Sequence, residues 1–179
     1  GRTMNYLYHA VPKGLQGDIL YPLNALKEKY PTAYEKQIAK YVGREHITQQ
    51  KIPFLNCLWN DVLHFSAVTP QEIRNALTDS GFEPTFPMSF FQVDPHLLDE
   101  KNTVVFLHKD LGSGNAMSES NFINYNPDDL ADFSHLSSET KSYYVEKIKE
   151  GKNPLLYHLV PHILSKTSLE ISNLPVVTV

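Results

Sequence analysis

Apolar residues recur along this chain in two rhythms, and the switch from one to the other marks its elements. A helical spacing opens at Thr32-Ala33-Tyr34-Glu35. This is a capping-box pattern, with Thr32 as cap and Glu35 reaching back to the free amide. Tyr34, Ile38, Tyr41 and Val42 then share a face, and Gly43 supplies the stop. A shorter helical piece over Ala25–Tyr30 precedes it and is interrupted by Pro31. A second box, Thr69-Pro70-Gln71-Glu72, opens a helix with Ile73, Ala76 and Leu77 inward and Gly81 after it. Asn126-Pro127-Asp128-Asp129 predicts a third start, its two carboxylates where the helix dipole favours them. Ser137 or Ser138 opens a fourth, which carries Tyr144, Val145 and Ile148 inward and ends at Gly151.

Strand-like runs lie between these helices. Val62–Val68 and Thr103–His108 are short, β-branched and aromatic, and are bounded by turn residues. Asp18–Tyr21, Ser89–Val93 and Leu174–Val179 are weaker runs of the same kind. A phrase is repeated near the two ends: Leu7-Tyr8-His9-Ala10-Val11-Pro12 is echoed by Leu156-Tyr157-His158-Leu159-Val160-Pro161. Proline cannot donate to a ladder, so each phrase reads as an extended segment that stops there. The shared pattern predicts that the two are neighbours, with paired phenols and imidazoles. Helices and strands mix without a steady βαβ rhythm. The expectation is one α+β domain over residues 1–179, with a mixed or mostly antiparallel sheet and about four helices.

Composition narrows the function classes. Hydrophobic residues make up 41% of the 179, enough for a real core. The net charge is −4 and no run of five or six Lys or Arg occurs, so the counterion-displacing footprint of broad nucleic-acid affinity is absent. A nucleic acid enters only as a specific acceptor, while a small-molecule ligand is compatible with the balance. No stretch approaches the roughly 18 apolar residues of a membrane span, and no secretory apolar segment follows the N-terminus. Cys57 is the single cysteine. The expectation is a cytoplasmic protein without membrane contact. Because Cys57 and Trp59 lie in an apolar run, at least one of them is expected to be largely buried.

The residues that carry chemistry are mostly histidines. His158 and His162 are four apart, a zinc-compatible spacing on a helix, and His9, His64 and His108 lie on predicted strands. Pro161 stands between the first two, and no Glu follows His158 as a metalloprotease motif needs, so no metal is expected. Gly112-Ser113-Gly114-Asn115 lacks both a P-loop lysine and the third glycine of a dinucleotide fingerprint, and reads as a surface loop. Ser66 is not in a nucleophile elbow.

Three separated motifs remain: Tyr8-His9 on the first strand, His64-Phe65-Ser66 on a middle strand, and Glu170 before the closing strand. In these the chain resembles the ADP-ribosyltransferase-like superfamily, in the small bacterial branch with NAD-dependent nucleic-acid modifiers and RNA 2′-phosphotransferases. The resemblance implies a split β-sheet and NAD as cofactor. It implies that His9 holds the ribose hydroxyls, Ser66 is the middle-strand serine and Glu170 is the late catalytic acid. Tyr8 or Tyr157 would stack on nicotinamide. Two departures stand beside it. Ser168 occupies the place of the Gln or Glu two before the acid, and the middle motif reads His-Phe-Ser-Ala. The leading expectation is an NAD-dependent transferase acting on a nucleic-acid or protein acceptor. A noncatalytic ligand- or protein-binding module, built on the plentiful tyrosines, is the alternative. A histidine-rich metal-dependent hydrolase is the second.

Overall fold

A computed structural model describes residues 4–85, 87–109 and 117–179. Its architecture is α+β, with antiparallel pairing in every ladder among the described residues. In chain order the elements begin with β1 (Leu7–Ala10), β2 (Ile19–Leu20), α1 (Leu23–Lys29), α2 (Pro31–Ile38), β3 (Lys51–Ile52) and β4 (Cys57–Leu58). There follow β5 (Leu63–Phe65), α3 (Pro70–Asp79), β6 (Ser89–Val93), β7 (Thr103–Phe106) and β8 (Phe122–Asn124). The chain closes with α4 (Ser138–Lys149), β9 (His162–Ser165), β10 (Leu169–Glu170) and β11 (Val176–Thr178).

Two sheets form the frame, one ordered β5-β9-β7-β8 and the other β1-β6-β11. They meet at one isolated antiparallel bridge, where Tyr8 and Ser66 exchange N–H···O bonds of 2.8 and 3.1 Å. The pleat decides what each face carries. Leu63, Phe65, Val105 and Ile163 point to one side of the larger sheet and share a core with Leu7, Phe91 and Val93 of the smaller one. His64, Leu164, His162, Phe106 and Phe122 take the opposite face. Burying each large apolar side chain contributes about 1.5–3 kcal/mol, so the shared core joins what two bridge bonds alone would not.

The helix starts at Thr69 and Ser137 are where the sequence puts them. Thr69 Oγ1 accepts the Glu72 amide at 3.3 Å, and Ser137 Oγ accepts the Thr140 amide at 3.2 Å. Gly81 and Gly151 follow these helices at φ of 93° and 72°, conformations that favour glycine. The Glu72 carboxylate does not close its box. It accepts the Leu136 amide at 2.6 Å and His135 Nδ1–H at 2.8 Å, fastening α3 to the lead-in of α4. No helix among the described residues is long and apolar enough to cross a membrane.

Three expectations are corrected. α2 starts at Pro31, not behind a Thr32 cap, and its cap position Tyr30 also closes α1. The fixed φ of proline suits a first helical turn, so the residue read as an interruption is the opening. No α-helix follows Asn126. Its side chain accepts the Asp128 amide at 3.0 Å, the Asp128 carboxylate is taken by His96 at 2.8 Å, and only a single 3-10 turn forms at Ala131–Phe133. The second Tyr-His phrase is not a strand and does not pair with the first.

Helix α4 explains that last departure. Its residues at helical spacing take the backbone groups through which the segment would otherwise pair. Tyr144 Oη donates to the Leu156 carbonyl, Thr140 Oγ1 donates to the His158 carbonyl at 2.8 Å, and Tyr143 Oη accepts the Leu155 amide at 3.0 Å. The segment closes on itself, with Leu159 in the left-handed region at φ 59°. Tyr144 is fully buried. Tyr144→Phe keeps the packing but strands the Leu156 carbonyl, so a loss of about 1–3 kcal/mol is expected in urea unfolding. Glu146→Gln, on the same helix, should change stability little.

Candidate functional site

The bridge sets the site. One residue past it on β1 is His9, whose ring stands edge-on to Phe65 at 5.6 Å. Two residues before it on the other strand is His64. Tyr8, 7% exposed, has its hydroxyl accepting from the Gln92 amide at 3.2 Å, which ties β1 to β6. Ser66 is buried, and its Oγ accepts the Val68 amide at 3.0 Å, a tight turn that starts the lead into α3. The hydroxyl proton of Ser66 stays available as a donor.

The imidazoles are held neutral, and each is oriented by a backbone carbonyl. His9 Nδ1–H donates to Ala10 at 2.7 Å, His64 Nε2–H to Trp59 at 2.8 Å and His162 Nδ1–H to Val160 at 2.7 Å. These bonds fix the tautomers and leave the opposite ring nitrogens as acceptors. Burial pushes His9 down to about 4, with Lys40 adding to the shift against the pull of the Ala10 carbonyl. Burial likewise takes His162 to about 4, with His108 beside it. His64 is driven well below its ordinary value by burial, then by His162 and Lys40, with a smaller contribution from His9. His108 is lowered mainly by burial.

From His64 the rings run in a row across the sheet face. His162 lies 5.1 Å from His108, and His108 lies 6.2 Å from His158, which packs on Tyr143 at 4.0 Å. Trp59 covers the near end, 4.5 Å from His64, 5.8 Å from Phe106 and 6.1 Å from His162. It also packs against the cluster of Leu23, Leu26, Ala33 and Tyr41, so the helical segment over residues 23–41 meets the sheet at this point. Beyond the far end is a cavity of about 320 Å³, lined by Leu107, His108, Lys109, Ser137, Glu139 and Leu159.

The site residues expected from the sequence separate into groups. Tyr8 and Ser66 are paired in the bridge; His9, next along β1, turns its ring to the other face of the strand, against Phe65. Tyr157 lies in the turn before β9, 6.1 Å from the His162 ring, and burial raises its hydroxyl pKa. Glu170 is exposed on the separate β2–β10 ladder opposite Ile19, and its carboxylate accepts the Ser172 hydroxyl at 3.0 Å. None of the hydrogen bonds or ring contacts of His9 and Ser66 involves it. Cys57 and Trp59 are each partly buried and pack against the core of Ile52, Val62, Phe106 and Leu164; Asn60 beside them is buried. The Gly112–Asn115 loop lies outside the described residues. Among the described residues no group of three or more His, Cys, Asp or Glu is arranged to hold a metal ion. Lys40 was missed from the sequence. A cation beside an aromatic in Lys40-Tyr41 was its signal, but only folding sets that ring against Trp59 and so close to His64.

No family model, curated protein or solved structure matches the chain.

The row of depressed imidazoles makes the fold acid-sensitive. A histidine neutral in the folded chain and ordinary in the unfolded one contributes stability above pH 6.5. That contribution is lost as pH falls from 6.5 toward 4. For each such ring the slope is about 1.4 kcal/mol per pH unit inside this window. Urea unfolding followed by Trp59 fluorescence should show stability falling steeply there. His162→Phe should flatten the slope by about one proton, whatever it costs at neutral pH.

Proposed function

We propose that the junction of β1 and β5 binds NAD and that the chain is an ADP-ribosyltransferase-like enzyme. The observation that supports this most directly is the single bridge between the sheets. It sets Tyr8 opposite Ser66, with His9 the next residue of β1, at the point where the two sheets part. In this reading His9 accepts from a ribose hydroxyl through Nε2, because its Nδ1–H is committed to Ala10. Ser66 donates to the ligand while its oxygen holds the Val68 amide. A neutral imidazole is what ribose recognition requires, since it offers a lone pair without a competing charge. Tyr8 supplies an aromatic edge, and Tyr157 lies in the continuing row of rings.

Breaking the bond between ribose and nicotinamide develops positive charge on the sugar, and a carboxylate stabilises it more in the transition state than in the ground state. The reading assigns that part to Glu170. The acceptor that takes the ADP-ribosyl group is a nucleic acid or a protein.

Calorimetry with NAD and a nicotinamide-release assay test this. Wild-type chain should bind NAD and release nicotinamide. His9→Ala should weaken binding by about tenfold, or roughly 1.4 kcal/mol, as expected for one lost ground-state hydrogen bond to a charged or polar partner. Glu170→Gln should keep binding and lose turnover. Undiminished turnover in Glu170→Gln would take that residue out of the site. Absence of both binding and release in the wild type would end the reading.

A further inference from the structure

Two cations share one aromatic ring beside the junction. The Lys40 ammonium lies 5.4 Å from the Tyr41 ring centroid, and the central carbon of the Arg44 guanidinium lies 5.8 Å from it. The guanidinium donates to the Lys40 carbonyl at 2.8 Å, which folds it back over the 3-10 turn at Ala39–Tyr41. Tyr41 is a firm support, 7% exposed and packed with Trp59. Both positive charges are therefore held against the same ring, Lys40 on its exposed side and Arg44 half-buried.

Like charges fixed this closely repel, and a carboxylate would ordinarily stand between them. None does. Among the described residues neither Lys40 nor Arg44 belongs to an ion pair. The adjacent Glu45 carboxylate is turned back to accept the Gly43 amide at 3.0 Å. Burial and then the charge of Arg44 lower the Lys40 pKa. Tyr41 packs with Trp59, whose ring lies 4.5 Å from that of His64, so the pair stands on the β5 side of the same junction.

We propose that Lys40 and Arg44 form an anion clamp that takes a phosphate or pyrophosphate group of the ligand bound between β1 and β5. The place of the clamp relative to a ligand rests on the junction being the binding site; the arrangement of the two cations does not. The chemistry is that of an oxyanion with several acceptor atoms. The guanidinium offers a planar fork of donors and the ammonium a mobile point charge. The neutral imidazoles behind the cations add acceptors for sugar hydroxyls and do not compete for the anion. One anion relieves the repulsion between the two cations.

Trp59 is the single tryptophan of the chain and packs against Tyr41, so its fluorescence reports on the clamp. Inorganic pyrophosphate, ADP, adenosine and NAD are titrated against the full chain and against Lys40→Gln, Arg44→Gln and Arg74→Gln. Arg74 donates to the Val179 carbonyl and serves as the charge control. Circular dichroism confirms that each variant is folded.

Pyrophosphate and ADP should bind saturably to the wild type. Both should weaken at least tenfold in Lys40→Gln and in Arg44→Gln, and weaken further with salt. Adenosine should be indifferent to all three substitutions. ADP binding tighter than pyrophosphate would assign the group to a nucleotide, and equal affinities to the free oxyanion; either keeps the clamp. No saturable pyrophosphate or ADP response would overturn it, as would losses equalled in Arg74→Gln, even if nicotinamide is released from NAD. A clamp that passes while the wild type releases no nicotinamide would stand without the transferase reading.

Discussion

Two hydrogen bonds between Tyr8 and Ser66 impose the geometry from which the rest follows. They fix the register of β1 against β5 at one residue pair and no further, so the two sheets stay in phase at that point and are free to diverge on both sides. Two bonds cannot hold two sheets, since a net gain of about 1 kcal/mol each is small against the entropy of docking. The holding is done beneath them, where Leu7, Phe65, Phe91, Val93 and Ile163 pack into one core. The bridge chooses the alignment and the core enforces it. A slip of one residue would turn Leu7 out of that core and Tyr8 into it, which is why so small a contact is well specified.

From that alignment comes the electrostatic character of the sheet face. His64 and His162 stand on the side away from the shared core, and Trp59, packed against Tyr41, covers them. Coverage removes water, the loss of water disfavours protonation, and the carbonyls of Trp59 and Val160 take one N–H from each ring. The face is thus lined with neutral acceptors. Permanent positive charge is kept at its edge, on Lys40 and Arg44. A ligand with hydroxyls at one end and an anionic group at the other matches that division of labour.

Much of this frame was legible in the sequence. Thr69, Ser137, Gly81 and Gly151 mark their helices because caps and stops are local chemistry, decided by residues within one turn. Ser89–Val93 forms as expected, since a short β-branched and aromatic run has few other ways to bury itself. What escaped was decided at a distance. The Asn126 turn lost its helix because His96, thirty residues earlier, claims Asp128. The second Tyr-His phrase lost its strand to three side chains of α4. Its likeness to the first was a likeness of composition, and identical letters met different partners.

How much of the candidate site could be read divides along the same line. His9 and Ser66 could be placed on or beside strands because short β-branched and aromatic runs are local signals. That β1 lies beside β5, so that Tyr8 pairs with Ser66, is a choice of topology that periodicity does not encode. The place of Glu170 on a two-residue ladder with β2 is likewise decided by its partner strand. Leu169 points into the shared core, so alternation turns Glu170 outward, to the β2–β10 surface. Lys40 went unnoticed because its segment reads as an ordinary amphipathic stretch. Its significance comes from the packing of Tyr41 on Trp59, which draws that stretch onto the sheet and sets a positive charge over a ring next to the one that covers His64.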